Sequence, residues 1–268
     1  MELRLPQLQI SLTAQFDIET LINFFIFKSL QVLLVSRRGS FFGNMVVTEF
    51  AVFPLARPIT KDNPTLAVDL IENLKQAKAV LESVSGYRFH YFQQIEDPSI
   101  IYITGLWDSV AAHDVFLASP ENQKLLDLFK DDLRWTGDRM ITLWHLEGDV
   151  FALDPSSDLK SVFTAPTISC NRHFVPAEKK EEFSSKFKEV RGILEDYSKP
   201  FKVIGGWRIE KEQVDGNERE EWVLFSGFDS IDHHMAFAKT KPFEKYREIV
   251  GCVEGFEVKH LRAIEGLQ

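Results

Sequence analysis

The sequence predicts an α+β fold in which two ferredoxin-like βαββαβ units form one closed α+β barrel within a single chain. Three observations indicate this fold. Two stretches of 23 residues are similar to each other, the elements predicted around them follow the same order, and the predicted strands are apolar on both faces.

Similarity within the chain is clearest between residues 107–129 and residues 228–250. Aligned without a gap, twelve of the 23 positions are identical or conservatively replaced. The identical pairs are Asp108/Asp229, Ser109/Ser230, His113/His234, Phe116/Phe237 and Lys124/Lys245. Outside this stretch we match residues 86–88 to 206–208 (Gly-Tyr-Arg and Gly-Trp-Arg) and His145-Leu146 to His260-Leu261. The spacing indicates a duplicated unit.

The first unit contains four predicted strands and two helical regions. Residues 46–53, 87–94, 100–107 and 140–146 are rich in β-branched and aromatic side chains, which favours strands. Asn63-Pro64 predicts a helix start, and Gly86 predicts its end. The apolar stripe of this helix is Leu66, Leu70, Leu74, Ala77 and Leu81. A second helical region runs to about Phe129, with a restart at Ser119-Pro120.

The second unit repeats this order of elements. Strands are predicted at residues 167–174, 203–210, 221–228 and 256–261. A helix is predicted after Pro176, with Phe183, Phe187, Val190 and Leu194 on one face, and a second helical region from Ser230. Asp215-Gly216-Asn217 predicts a tight hairpin turn between the second and third strands.

The apolar pattern of the strands explains why two units should close on each other. An antiparallel sheet with helices on one face leaves its other face bare. In the first strand, Val46, Phe50 and Val52 alternate with Val47 and Phe53, so both faces are apolar. Burial contributes about 25 cal/mol per Å² of apolar surface. The sheet of the sister unit is the simplest cover, which predicts the barrel.

The predicted domain boundaries follow from the repeat. They are an extension at residues 1–44, a first unit at 45–152, a linker at 153–164 and a second unit at 165–268. Residues 21–35 are an apolar run of 15 residues containing Lys28 and Gln31, too short for a bilayer span of about 20. This run is a helix packed on the body, a membrane-touching segment, or part of a non-native extension ahead of a start at Met45.

Composition excludes several classes of protein. The net charge is −9, and binding to nucleic acid needs clustered cations, so we expect no nucleic-acid partner. Cys170 and Cys252 are too few for a disulfide framework or a four-thiolate site, which predicts a reducing, cytoplasmic setting. A single disulfide between Cys170 and Cys252 is the alternative. The sequence has no zinc, phosphate-loop, dinucleotide or Ser–His–Asp signature, so we expect no metal.

Four histidines recur at equivalent places of the two units. His113 and His234 lie near the start of the second helical region and are candidate catalytic bases, because an imidazole can take a phenolic or enolic proton near neutral pH. His145 and His260 lie on the fourth strands and are candidate substrate-binding residues. Structural hydrogen bonds are the alternative for all four, and recurrence in both units favours it.

The first strand of the second unit carries an unusual row of polar side chains. Thr167, Ser169, Asn171 and His173 alternate onto one face. Polar groups on a buried strand need partners, which a substrate or water molecules supply. Asn171 and His173 are therefore further candidate catalytic residues. The corresponding face at residues 47–51 is less polar, which favours a pocket in the second unit; a strand nearer the sheet edge is the alternative.

Three tryptophans are candidates for contact with a flat ligand. Trp107, Trp144 and Trp207 could stack on an aromatic substrate, and packing in the core is the alternative for each.

The passages TGLWDSVAAHDVFLASP and SGFDSIDHHMAFAKTKP resemble the strand-to-helix segment of antibiotic-biosynthesis-monooxygenase (ABM) domains. The chain resembles two such domains in tandem, within the dimeric α+β barrel superfamily, over residues 45 to about 266. The resemblance implies a small-molecule enzyme of secondary metabolism that oxygenates an aromatic or polyketide-like substrate with O2 and no cofactor. Cyclisation or rearrangement of such a substrate, or a non-catalytic barrel that binds a ligand or partner, is the alternative.

The resemblance also bears on haem and on assembly. The haem-degrading branch has an Asn on the first strand and a Trp and a His on the later helix. Asn171 stands at the strand place, but Phe237 and Arg247 stand at the helix places, as do Phe116 and Leu126 in the first unit. An axial His is thus missing, and we expect no haem. Homodimer formation stays open, since a barrel closed within one chain removes the usual need for it.

Overall fold

A computed structural model describes residues 45–137, 139–152 and 158–268. The expectations for residues 1–44, including the apolar run, and for the first five residues of the linker (153–157) lie outside the described residues. Among the helices that are described, none is long and apolar enough to cross a membrane.

The first half of the described chain alternates strands and helices in the predicted order. Its elements are β1 (Val47–Pro54), α1 (Val68–Ser85), β2 (Phe89–Gln94), β3 (Ile100–Trp107), α2 (Val110–Leu117), α3 (Pro120–Leu128) and β4 (Thr142–Glu147).

Helix α1 forms on the predicted apolar stripe. Its buried residues are Leu70, Leu74, Ala77 and Leu81. It ends at Gly86, which has φ +80°, a conformation that glycine adopts without strain. The predicted start at Asn63-Pro64 is wrong, because the helix begins at Val68. The side-chain amide of Gln93 donates to the carbonyl of Pro64 at 3.0 Å, and residues 64–67 lie outside the helix.

Serine residues begin three of the later helices. The hydroxyls of Ser109, Ser119 and Ser230 each accept the backbone N–H three residues further on, at 3.1 Å. This N-cap supplies a partner for a donor that has none within the helix. The restart at Ser119-Pro120 and the helix start after Ser230 are both confirmed.

The second half contains the same elements and one additional strand. They are β5 (Thr167–Pro176), α4 (Lys180–Tyr197), β6 (Ile204–Trp207), β7 (Glu212–Val214), β8 (Asn217–Phe228), α5 (Ile231–Phe237), α6 (Phe243–Tyr246) and β9 (Gly255–Ala263). Three short 3₁₀ helices cover Val162–Thr164, Ala177–Lys179 and Arg247–Cys252. Strands β7 and β8 form the predicted hairpin, whose turn residues Asp215 and Gly216 have φ +52° and +82°.

The strands form one antiparallel sheet in the order β4-β1-β3-β2-β9-β5-β8-β6, with β7 beside β8. A first seam joins the halves through β2 and β9, where Gln93 pairs with Arg262. A second seam joins the two ends of this order: Leu146 pairs with Arg208, and the N–H of Ile209 donates to the carbonyl of His145 at 2.8 Å. The sheet therefore closes into a barrel, and the predicted fold class is confirmed.

Buried side chains pack on both sides of this sheet. The barrel interior is filled from both halves, by residues that include Phe50, Phe92, Trp144, Leu146, Phe225 and Leu261. On the outer side, α1, α2 and α3 pack on the first half around Trp107 and Phe116. Helices α4 and α5 pack on the second half around Phe183 and Phe228. Each half thus has a space between sheet and helices that is separate from the barrel interior.

The predicted match between residues 86–88 and 206–208 is wrong. Leu261 pairs with Gln94 in the first seam, and its counterpart Leu146 pairs with Arg208 in the second. Arg208 therefore corresponds to Gln94, six residues beyond the predicted position. The second half has a shorter connection from its first strand to its first helix, at residues 177–179, and β7 restores the spacing before β8.

Candidate functional site

Two of the candidate histidines of the first half are in direct contact. Nδ1 of His113, on α2, lies 2.7 Å from Nε2 of His145, on β4. Nδ1 of His145 lies 2.5 Å from Oε1 of Glu210, and the backbone N–H of His145 donates to Oε2 of the same carboxylate at 2.8 Å. Glu210 follows β6 in the second half, so this line of side chains crosses the second seam.

At the end opposite Glu210, the line of side chains reaches Glu49 on β1. Nε2 of His113 lies 3.4 Å from Oε2 of Glu49, and the indole N–H of Trp107 donates to the same oxygen at 2.7 Å. The rings of Trp107 and His113 stack with centroids 4.3 Å apart and planes 8° apart. We call Glu49, His113, His145 and Glu210 the first-half relay.

Strand register brings these groups together. Glu49 pairs with His145 on β4 and with Gly105 on β3, so its side chain and that of His145 share the helix-facing side of the sheet. Gly105 leaves room for the ring of Phe89, since a Cβ at residue 105 would lie 2.5 Å from it. Phe89 in turn meets Trp107 edge to face.

Burial sets the protonation of the relay. It raises the pKa of Glu49 to about 7, although the hydrogen bond from Trp107 and the charge of His145 oppose the rise. Burial also lowers the pKa of His113 well below its usual value, so that this imidazole is neutral at pH 7. For Glu210, burial alone would raise the pKa, but the hydrogen bonds and charge of His145 lower it overall.

The relay has two proton arrangements that hold the same number of protons. In one, His145 is an imidazolium that donates to His113, and Nε2–H of His113 faces ionised Glu49. In the other, Glu49 is protonated and both imidazoles are neutral. Two short proton shifts, from His145 to His113 and from His113 to Glu49, convert the first arrangement into the second. The relay can therefore move a proton between buried Glu49 and the seam.

The second half repeats part of this arrangement. Nδ1 of His234 lies 2.8 Å from Nε2 of His260, and Nδ1 of His260 contacts Glu96, which comes from the first half. Burial, followed by the charge of His260, lowers the pKa of His234 to about 4. Phe228 stacks on His234 as Trp107 does on His113, with ring centroids 4.5 Å apart.

The two halves differ at the inner end. Ser169 pairs with His260, as Glu49 pairs with His145, and Phe228 stands in place of Trp107. The second half therefore has no carboxylate and no indole N–H at these positions. His113 and His234 occupy equivalent positions of the two halves, as predicted. Of these two arrangements, only that of the first half links its histidines to a buried carboxyl group.

The polar row on β5 lies on the helix-facing side of the second half. Asn171 donates to the hydroxyl of Ser169 at 2.9 Å. The ring of His173 packs against Phe183, and burial lowers the pKa of His173 to about 4. Neither Asn171 nor His173 has a hydrogen bond to His234 or His260 in the described structure. The structure does not bring the four candidate catalytic residues of the sequence analysis into one site.

The three candidate tryptophans lie in three different places. Trp107 is in the first helix-facing core, and Trp207 is in the second, edge to face with Phe183. Trp144 is inside the barrel, where the guanidinium groups of Arg172 and Arg208 lie 4.7 and 4.8 Å from its ring centre. These rings cannot stack together on one ligand.

A cavity of about 370 Å³ opens beside Trp107, a volume within the range of small-molecule pockets. Its apolar lining is Val84, Trp107, Ala112, Val115 and Phe116, and Asp108 and Glu121 are among its polar residues. Glu49 and His113 lie outside this lining. Trp107 both lines the cavity and contacts Glu49 and His113, so it links the cavity to the relay.

The described residues were also compared with the requirements of a metal or haem site. They contain no cluster of three or more His, Cys, Asp or Glu residues arranged to hold a metal ion. At the axial-His places of the haem-degrading pattern stand Leu126 and Arg247. Leu126 has no polar side-chain atom and the guanidinium of Arg247 has no acceptor, so neither offers a ligand atom.

Three carboxylates of these arrangements were missed from the sequence. Glu49 is a single charged residue in the otherwise apolar strand VTEFAVF, which is a signal of a functional or paired carboxyl group. Glu96 and Glu210 each follow an isoleucine directly after corresponding strands. This repeated Ile-Glu was hidden by the wrong match of residues 86–88 to 206–208.

The fold is that of a dimeric α+β barrel, here closed by two halves of one chain. Residues 64–127 match the family model described as antibiotic biosynthesis monooxygenase, so the predicted resemblance to ABM proteins is confirmed. A comparison with curated proteins gave no significant match.

Solved structures with the same fold include proteins named for oxygenases. The chain is 12% identical to an anthrone oxidase-like protein, with a TM-score of 0.55, 82% of this chain covered and 92% of the other. It is 12% identical to a candidate monooxygenase from Fusobacterium nucleatum (TM-score 0.53, 82% and 93% covered). It is 13% identical to another from Lactobacillus acidophilus (TM-score 0.50, 82% and 98% covered). At these identities the likeness concerns the fold alone.

Proposed function

We propose that the chain is an ABM-like oxygenase that removes a proton from an aromatic, polyketide-like small molecule and delivers the resulting anion to O2. The site is the cavity and relay of the first half. One observation carries the proposal: Trp107 lines the cavity of about 370 Å³ and its indole N–H donates to a buried carboxyl group whose pKa is about 7. A base with a pKa near the working pH is suited to general-base catalysis.

The position of the ABM match supports this choice of half. Every residue that lines the cavity, including Trp107, lies within residues 64–127, and so does His113. The second half has Ser169 and Phe228 at the places of Glu49 and Trp107. We propose that residues 45–152 form the catalytic unit, and that residues 165–268 form a unit that completes the barrel.

The proposed reaction begins with stacking of the substrate on the apolar cavity wall. The indole of Trp107 then moves aside, which gives the substrate access to Glu49. Breaking the hydrogen bond between them costs about 1.5–3 kcal/mol, and the loss of ring contacts with His113 and Phe116 adds to this cost. The relay moves the proton of Glu49 through His113 to His145, and the ionised Glu49 then takes the proton of the substrate.

The remaining chemistry balances with O2 as the oxidant. For a substrate with an acidic CH2 group between aromatic rings, the carbanion adds O2 to give a peroxide anion, which regains a proton. Loss of water then leaves a ketone. In sum, one CH2 group and one O2 become one C=O group and one water. The apolar lining of the cavity contributes contact surface for the aromatic rings of the substrate.

The test uses anthrone as the probe, because its central CH2 group has this chemistry. Oxidation is measured in air and under nitrogen, against the rate without protein, for the wild type and for Glu49→Gln, His113→Gln and His234→Gln. We expect turnover in air alone, a loss of at least about tenfold in the first two variants, and a rate within about twofold of wild type in His234→Gln.

His234→Gln is the matched control, because it removes the same imidazole contact from the half in which Ser169, not a carboxyl group, pairs with the strand histidine. Equal losses in His113→Gln and His234→Gln would show that the histidines only stabilise the fold. Turnover under nitrogen would indicate rearrangement instead of oxygenation. Binding of anthrone without any turnover would favour the alternative of a non-catalytic barrel.

A further inference from the structure

We propose that Glu210 is a positioning residue that the second half supplies to the first-half site, so that the site is complete only when the second seam is closed. This inference rests on the proposed function of Glu49 as the base. It adds a residue outside the segment that matches the ABM model, which ends at residue 127.

The geometry of Glu210 fixes the orientation of one imidazole. Its two oxygens accept two hydrogens of the same residue, the backbone N–H and the ring Nδ1–H of His145, at 2.8 and 2.5 Å. With Nδ1–H committed to Glu210, Nε2 of His145 must face His113. Only this orientation lets His145 take the proton that His113 passes on. Glu210 thus acts on Glu49 through two intervening rings.

The closing of the barrel brings Glu210 into place. Arg208 pairs with Leu146, and the N–H of Ile209 donates to the carbonyl of His145. The backbone contact that joins the halves therefore ends next to the carboxylate that orients His145. Asp114 on α2 is a further titratable group near Glu210 and His145, and its pKa is raised mainly by burial, with an opposing effect of His145.

The first seam offers a matched control. Glu96 contacts Nδ1 of His260 and accepts its backbone N–H at 3.0 Å, as Glu210 does for His145. Both carboxylates thus hold a histidine across a seam. Only the line through His145 reaches Glu49. If these carboxylates merely join the halves, removing either one should have the same effect.

The experiment compares Glu210→Ala, Glu96→Ala and Glu210→Gln in the full chain. We expect Glu210→Ala to lower kcat by at least about tenfold with KM within about twofold, and Glu96→Ala to leave kcat within about twofold. Glu210→Gln keeps an acceptor for Nδ1–H and should recover most of the lost rate. Equal losses of kcat in the two alanine variants, or no loss in Glu210→Ala, overturn the proposal.

A second readout does not depend on turnover and separates this inference from the proposed function. In ¹⁵N-labelled protein, the Nδ1–H proton of His145 should appear far downfield in the wild type and in Glu96→Ala. In Glu210→Ala it should be lost, with His145 changing to the Nε2–H tautomer. If His145 keeps its tautomer in Glu210→Ala, positioning by Glu210 is wrong even when anthrone is oxidised. If the tautomer changes but no substrate is oxidised, the proposed function fails and the positioning role stands.

Discussion

Neutralising Glu49 should stabilise the folded chain at alkaline pH. The carboxyl group ionises at its ordinary value of 4.5 in the unfolded chain and at about 7 in the folded chain. Between these values the folded state holds one proton more than the unfolded state, so stability falls as the pH rises. At about 1.4 kcal/mol per pKa unit, the loss is about 3 kcal/mol once the pH is well above 7.

Glu49→Gln mimics the protonated carboxyl group and does not titrate. Its free energy of unfolding should be close to that of the wild type at about pH 5 and higher by about 2–3 kcal/mol at about pH 8.5. The assay is urea unfolding at a series of pH values, with the difference between the two proteins plotted against pH.

Glu96→Gln provides a control of opposite sign. The pKa of Glu96 is lowered because its hydrogen bonds with His260 outweigh the effect of burial. Its contribution to stability is therefore present above pH 4.5 and lost as the pH falls, so this variant should be less stable than the wild type at alkaline pH. A difference between Glu49→Gln and the wild type that does not change with pH would refute the reasoning about Glu49.

Two further variants test the packing and the electrostatics of the same site. Gly105→Ala should lower the free energy of unfolding by about 2–3 kcal/mol, because the new Cβ would lie 2.5 Å from the ring of Phe89. Gly192→Ala, in α4 with nothing within 4 Å of the added Cβ, should instead raise it by about 0.5–1 kcal/mol, and urea unfolding compares the two. Trp107→Phe should raise the pKa of Glu49 by about one unit, because the hydrogen bond that lowers it is lost. The ¹³C shift of the Glu49 carboxyl group against pH measures this change, and an unchanged midpoint would contradict the assigned hydrogen bond.

Local signals predicted most of the fold. The strand at residues 100–107 has the predicted bounds, and the N-caps at Ser119 and Ser230 lie where predicted, because β-branched runs and capping serines act through neighbouring residues. The predicted start of α1 was wrong. The carbonyl of Pro64 accepts a hydrogen bond from the side chain of Gln93, and a contact between such distant residues cannot be read from the local sequence.

The candidate site was predicted in part. His113 and His145 were both selected from the sequence, because each has a histidine at the equivalent position of the second unit. Their contact with each other, and with Glu210 across the second seam, depends on strand register and barrel closure. The preference for a pocket at Asn171 followed from the number of polar residues on one strand face. Burial of the one carboxyl group of Glu49 costs more free energy than burial of those neutral polar groups.

Covalent continuity between the two halves has a consequence for how such a barrel can change. In an assembly of two identical chains, every substitution occurs twice, so a costly group such as a buried acid must be tolerated at both places. Here the acid at residue 49 corresponds to a serine at residue 169 in the other half. Only one half therefore bears the free-energy cost of burying this acid. A single polypeptide can thus specialise one side while the other keeps the scaffold intact, and dilution does not separate them.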